Sequence, residues 1–133
     1  MDRLFFDANV LFSAAYRPNA GLLELWTLKD AVLCTSSYAL QEARANLEEQ
    51  AQHRRLIQLS ESLQLFEAEV GGLPSGVSLP EKDVPILRAA FRAGASHLLT
   101  GDIRHFGPCL GRKIEGTAVM LPGEYLRVRN RNR

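Results

Sequence analysis

Apolar and polar positions alternate along the chain in a way that separates five short apolar runs by longer stretches of helical periodicity. The runs are "RLFF" (3–6), "AVLCT" (31–35), "LQLFEA" (63–68), "SHLLT" (96–100) and "TAVMLP" (117–122), each of strand length. Between the first two, "NAGLLELWTLKD" sets Leu22, Leu25, Trp26 and Leu28 on one face of a predicted helix, with Leu23 widening the stripe. Two further helices are predicted between the second and third runs. One lies in "SSYALQEARANLEEQ" and is opened by Ser36 or Ser37; the other lies in "HRRLIQLSESL". The glycines and prolines of "GGLPSGVSLPEK" make the one conspicuous loop. After it "VPILRAAFRAGA" buries Ile86, Leu87, Ala90 and Phe91 and stops near Gly94.

Strands that alternate with helices imply βαβ units and a parallel sheet covered on both faces. The expected fold is therefore α/β, a three-layer sandwich around a parallel five-stranded sheet. At 133 residues and 46% hydrophobic content the chain is the size of one domain. We assign that domain to residues 1–126 and read 127–133 as a basic, mobile tail. No apolar run reaches the roughly 20 residues of a membrane span, and the start lacks the pattern of a secretory signal. A cytoplasmic location without membrane attachment is expected. Cys34 and Cys109 have neither the spacing nor the number for a disulfide or zinc framework; Cys34 reads as core and Cys109 as a loop thiol.

Charge adds an asymmetry. Four of the 16 basic residues, Arg127, Arg129, Arg131 and Arg133, fall in the last seven positions, leaving 12 against 15 acidic side chains elsewhere. A basic end on an acidic body suits contact with phosphate, although a solvated terminus explains it equally.

In open parallel sheets ligands bind beyond the carboxyl ends of the strands, and acids stand there. Asp7 follows "RLFF" directly, and Asp102 follows "SHLLT" with only Gly101 between. The glycine would permit a tight turn and close backbone approach. Glu42 lies in the first turns of the helix after the second strand, and Asp83 opens the helix leading to the fourth. Singly, each has a structural explanation: Asp102 as a turn residue, Asp83 as an N-cap before Pro85, Glu42 as a solvated helix-face residue. Asp7, beside Phe5 and Phe6, has the poorest one, because an unpaired charge there is costly. Together, clustered carboxylates repel one another unless a cation neutralises them, and hard oxygen donors select Mg²⁺ or Mn²⁺.

The segments "FFDANVLFSA", "ALQEARANL", "EKDVPILRAAFRAGASHLLTGDIRHF" and "MLPGEYL" resemble, in order and over nearly the whole chain, the successive blocks of PIN domains. The resemblance implies a PIN-like fold and a metal-dependent ribonuclease that acts on single-stranded or structured RNA. It assigns the catalytic pocket to Asp7, Glu42, Asp83 and Asp102, with Asp7, Asp83 and Asp102 as metal ligands and Asn9 and Thr100 in support. Many PIN domains carry another acid after the fourth-strand aspartate; this chain has Ile103, Arg104 and His105. Arg104, His105, Arg112 and Lys113 are the residues expected to contact RNA, with Tyr16 as a stacking surface. Many PIN domains are the toxins of VapBC-type toxin-antitoxin pairs and many pair as dimers. A small antitoxin protein and a second copy of the chain are thus the candidate partners.

Two other readings compete. A non-catalytic RNA- or protein-binding module would have little reason to keep four acids. An aspartyl-phosphate phosphatase needs a second acid two residues after the first, where this chain has Asn9, and a phospho-accepting receiver domain needs a lysine that "MLPGEY" lacks.

Overall fold

Leu4, Phe5 and Phe6 are fully buried consecutive residues, which is possible only for a strand covered on both faces. That strand, β1 (Asp2–Phe6), is central in the computed structural model, which describes residues 1–68 and 70–132. It pairs in parallel with β2 (Ala31–Thr35) on one side and β4 (His97–Leu99) on the other. The chain steps outward from β1 to β2 and then β3 (Gln64–Leu65), returns to β4, passes to the far edge as β5 (Lys113–Ile114), and turns back as β6 (Thr117–Met120) between β5 and β4. The order β3-β2-β1-β4-β6-β5 reverses direction at β1 and β4, the switch point where an open sheet leaves a crevice.

The class is the α/β three-layer sandwich expected, with six strands rather than five. The additional strand, β5, runs antiparallel to β6. Glu115 (φ 48°) and Gly116 (φ 86°) join them, both in the left-handed region that two-residue hairpin turns require. A two-residue strand leaves no periodicity to read. The third run is likewise shortened, from the expected 63–68 to Gln64–Leu65.

Helices follow β1 and β2 at once. α1 (Ala8–Ala15) packs on α2 (Ser37–Asn46) and α3 (Gln50–Ser60). The first crossover was expected to be the Trp26 segment, but its α-helix is α1, and Gly21–Thr27 is a 3-10 turn. Asp7 starts α1 by accepting the Ala8 N–H, so the apolar "NVLF", to which the sequence reading assigned no element, is helix. Trp26 stacks on Phe6 with ring centroids 4.9 Å apart and donates its indole N–H to the Leu59 carbonyl (3.0 Å). It serves the core.

α4 (Val84–Arg92) leads into β4 and ends at Gly94, whose φ of +63° no β-carbon would favour. α5 (Ile103–Phe106) follows β4, and α6 (Pro122–Arg131) follows β6. The expected boundary at 126 therefore falls inside α6, and residues 127–131 belong to that helix. Tyr125 and Leu126 are buried, and Arg129 pairs with Asp2 and Asp30 near the starts of β1 and β2. Arg133 lies outside the described residues. Cys34 and Cys109 are both buried, so Cys109 is no loop thiol open to solvent. Among the described residues no helix is long and apolar enough to cross a membrane.

Candidate metal centre

The end of β1 fixes the first acid. The Asp7 N–H donates to the Leu99 carbonyl (3.1 Å), extending the β1–β4 pairing by one step, and its Oδ1 accepts the Ala8 N–H (2.7 Å). Oδ2 accepts the Thr100 hydroxyl (2.7 Å) and, more weakly, Asn9 Nδ2 (3.5 Å). Asn9 also accepts the Gly101 N–H through Oδ1 (2.9 Å) and faces Thr100 Oγ1 at 3.4 Å. Asn9 and Thr100 thus bind the end of β1 to the turn after β4. A β-carbon on Gly101 would stand 3.6 Å from Asn9 Oδ1, an ordinary contact, so the turn does not demand glycine as expected.

Asp102 is placed by the same turn. Its N–H donates to Thr100 Oγ1 (3.1 Å), and Oδ1 caps α5 by accepting the His105 N–H (3.0 Å). Oδ2 stands 3.0 Å from His105 Nδ1. Asp83 occupies the N-cap position of α4 without a side-chain capping bond, which removes the structural explanation its position offered. Only 5% exposed, it brings Oδ2 within 3.0 Å of the same His105 Nδ1. Glu42 sits in the second turn of α2, whose start is fixed by Ser36 Oγ accepting the Ala39 N–H (3.1 Å).

All four acids line one cavity of about 430 Å³, together with Asn9, Phe12, Asn46 and Lys82. Lys82 is the only cation lining it among the described residues. Burial pushes the Asp7 carboxyl up to about 6, against the lowering effect of the Thr100 and Ala8 hydrogen bonds; the charges of Asp83 and Asp102 add to the rise. Burial also raises Asp83, opposed by His105 and Lys82, and Glu42, opposed by Lys82. Mutual repulsion, the cause anticipated from the sequence, is the smaller contributor. The carboxyls resist ionisation chiefly because water is excluded.

The residues fit a divalent cation. Asp83 Oδ2 and Asp102 Oδ2 share the single Nδ1 of the half-buried His105 at 3.0 Å each, so one ring nitrogen faces two carboxylates, an arrangement short of positive charge. The donors are carboxylate oxygens and one imidazole nitrogen. Oxygen atoms of Asp83 and Asp102 and a nitrogen of His105 lie within 4.8 Å of one another.

The residues expected to contact RNA separate. His105 belongs with the acids. Arg104 is exposed on α5 and does not line the cavity. Arg112 is exposed and donates to the Gly76 carbonyl (3.3 Å), while Lys113 on β5 pairs with Ala118, near the start of β6 and away from the carboxyl rim. Tyr16 is exposed, but it lines a neighbouring cavity with Phe12, their rings 5.4 Å apart. Two contributors escaped the sequence reading. Lys82 stands beside Asp83 in "EKD", and its adjacency was the available signal. Tyr38, whose hydroxyl donates to the Lys82 carbonyl (2.6 Å), ties α2 to the segment carrying Asp83; no local pattern announces that bond.

No family model and no curated protein matches the chain. Among solved structures, it is similar to a chain in the structure of VapBC2 from Rickettsia felis bound to a DNA fragment from its promoter. The TM-score is 0.62 at 18% identity, over 88% of this chain and 96% of that one. At that identity the likeness is one of fold, and it agrees with the PIN-like architecture.

Proposed function

We propose that the chain is a Mg²⁺- or Mn²⁺-dependent ribonuclease of the PIN-domain kind that hydrolyses RNA phosphodiesters. The observation that carries this reading is the gathering of Asp7, Glu42, Asp83 and Asp102, from four separate segments, around one cavity. Asp7, Asp83 and Asp102 would hold the cation. When bound, it would lower the pKa of a coordinated water and offset charge on the phosphate.

The chain's own residues do the rest. Thr100 and Ala8 hold the Asp7 carboxylate in one orientation by bonds of 2.7 Å each, so little reorganisation is needed during reaction. Glu42, on α2 and lining the same cavity, would orient the attacking water. As that oxygen bonds to phosphorus, the bond from phosphorus to the leaving ribose oxygen breaks. Lys82 offers a positive charge at the mouth for a phosphate of the substrate. Asn9 is occupied by hydrogen bonds to Gly101 and Asp7 and cannot supply the acid that an aspartyl-phosphate phosphatase uses.

Cleavage of a mixed single-stranded RNA pool tests the reading. Cutting is expected with Mn²⁺, and its loss with EDTA or in Asp7→Asn. Cutting that persists unchanged in chelator overturns it, as does release of phosphate from small esters with RNA left intact. The likeness to a chain of the VapBC2 structure supports a second element, that an antitoxin protein restrains the enzyme. Co-expression with the product of the adjacent gene should then suppress the cleavage.

A further inference from the structure

We propose that His105 is a ligand of the metal through Nδ1, giving the centre a nitrogen donor and a preference for transition ions such as Mn²⁺ over Mg²⁺. The inference rests on the cavity being a metal centre and adds a residue and an ion selectivity to it.

His105 Nδ1 lies 3.0 Å from Asp83 Oδ2 and 3.0 Å from Asp102 Oδ2. Adjacent ligands of an octahedral ion with bonds near 2.1 Å are separated by about 3.0 Å, the edge of the octahedron. Both separations thus match those of neighbouring ligands on one ion. A plain ion pair explains the geometry less well. An imidazolium has one Nδ1–H and can give it to one carboxylate only, yet Nδ1 stands 3.0 Å from both, so the pairing with Asp83 leaves Asp102 Oδ2 unanswered by the ring. Nδ1 and Asp83 Oδ2 are buried, and Asp83 as a whole is 5% exposed. Leaving one of two buried or half-buried carboxylate oxygens without a positive partner is costly, and a shared cation would satisfy both together with the nitrogen.

The backbone that carries the ring is also held in place. The His105 N–H caps onto Asp102 Oδ1 (3.0 Å), and Phe106, the next residue, is fully buried. Its neighbours Ile103 and Arg104 are exposed. An imidazole donor suits first-row transition ions, whereas Mg²⁺ favours oxygen ligands and keeps its waters.

Pulsed electron paramagnetic resonance of the full chain loaded with Mn²⁺ reads the donor directly, because a coordinated ¹⁴N modulates the electron-spin echo. The expected result is ¹⁴N modulation in the wild type and in His97→Gln, and its loss in His105→Gln. His97 is a suitable control: its Nδ1 is bonded to Ser96 Oγ (2.8 Å) and its ring packs edge-on against Tyr125. Calorimetry should show that His105→Asp, which restores an oxygen donor, lowers the ratio of Mn²⁺ to Mg²⁺ affinity about tenfold. Bound Mn²⁺ without nitrogen modulation in the wild type overturns the inference and leaves the metal centre standing. No binding of Mn²⁺ overturns both. The wild-type spectrum decides even if His105→Gln fails to fold.

Discussion

Asp7 holds its carboxyl at about 6 against an ordinary 3.8 because burial outweighs the hydrogen bonds from Thr100 and Ala8. An acid whose pKa is raised by folding binds its proton more tightly in the native state. Its contribution to stability is therefore fully present below about 4 and is lost as pH rises through 6. The difference is on the order of 3 kcal/mol. In EDTA, Asp7→Asn should raise the melting temperature by several degrees at pH 7 and leave it unchanged at pH 4; equal effects at both pH values would show that the carboxylate is not strained. Mn²⁺ should reverse the order, stabilising the wild type more at pH 7 than at pH 5, since ligands must lose their protons to bind it. Thr100 is fully buried, donates to Asp7 and accepts from Asp102. Thr100→Val should cost about 1–3 kcal/mol in urea denaturation and weaken Mn²⁺ binding, while Thr100→Ser keeps both. At this scale the sequence was most informative for the acids, because an acid directly after an apolar strand has nowhere else to go. It was poorest for His105: an imidazole three residues past Asp102 looks the same whether it faces solvent or carboxylates, and only the one-turn α5 decides.

Glu42 and Asp83 come from α2 and from the N-cap of α4, and a hydrogen bond ties α2 to the segment just before Asp83. Tyr38 on α2 donates to the Lys82 carbonyl immediately before Asp83. Tyr38→Phe should lower stability by about 1 kcal/mol and reduce RNA cleavage, although no acid is changed. Full activity in that variant would mean the loop needs no such tie. The alternation of strands and helices was legible, because β1, β2 and β4 are buried apolar runs bounded by polar turns. α1 was not: "DANVLFSAA" stays apolar beyond the strand, and the change from strand to helix depends on Asp7 turning back to cap Ala8. β5 was invisible for a different reason. Two residues carry no pattern, and the strand exists because Glu115 and Gly116 reverse the chain.

α6 runs from the carboxyl rim, where Pro122 follows β6, back to the opposite end of the sheet, where Arg129 meets Asp2 and Asp30. The basic terminus read from charge alone is largely a helix end held by early residues of the chain, since acids near the starts of β1 and β2 are distant in sequence from it. Arg129→Ala should lower stability by about 1 kcal/mol and leave cleavage of RNA intact. A loss of RNA affinity without loss of stability would instead restore the arginines as substrate contacts. The sheet, finally, is bounded by its two shortest strands: β3 and β5 have two residues each. So little free ladder at either margin gives a neighbouring molecule almost nothing to zip onto. Fibril-like growth is discouraged from both flanks, and strand addition at the sheet margins is not the way this protein would assemble.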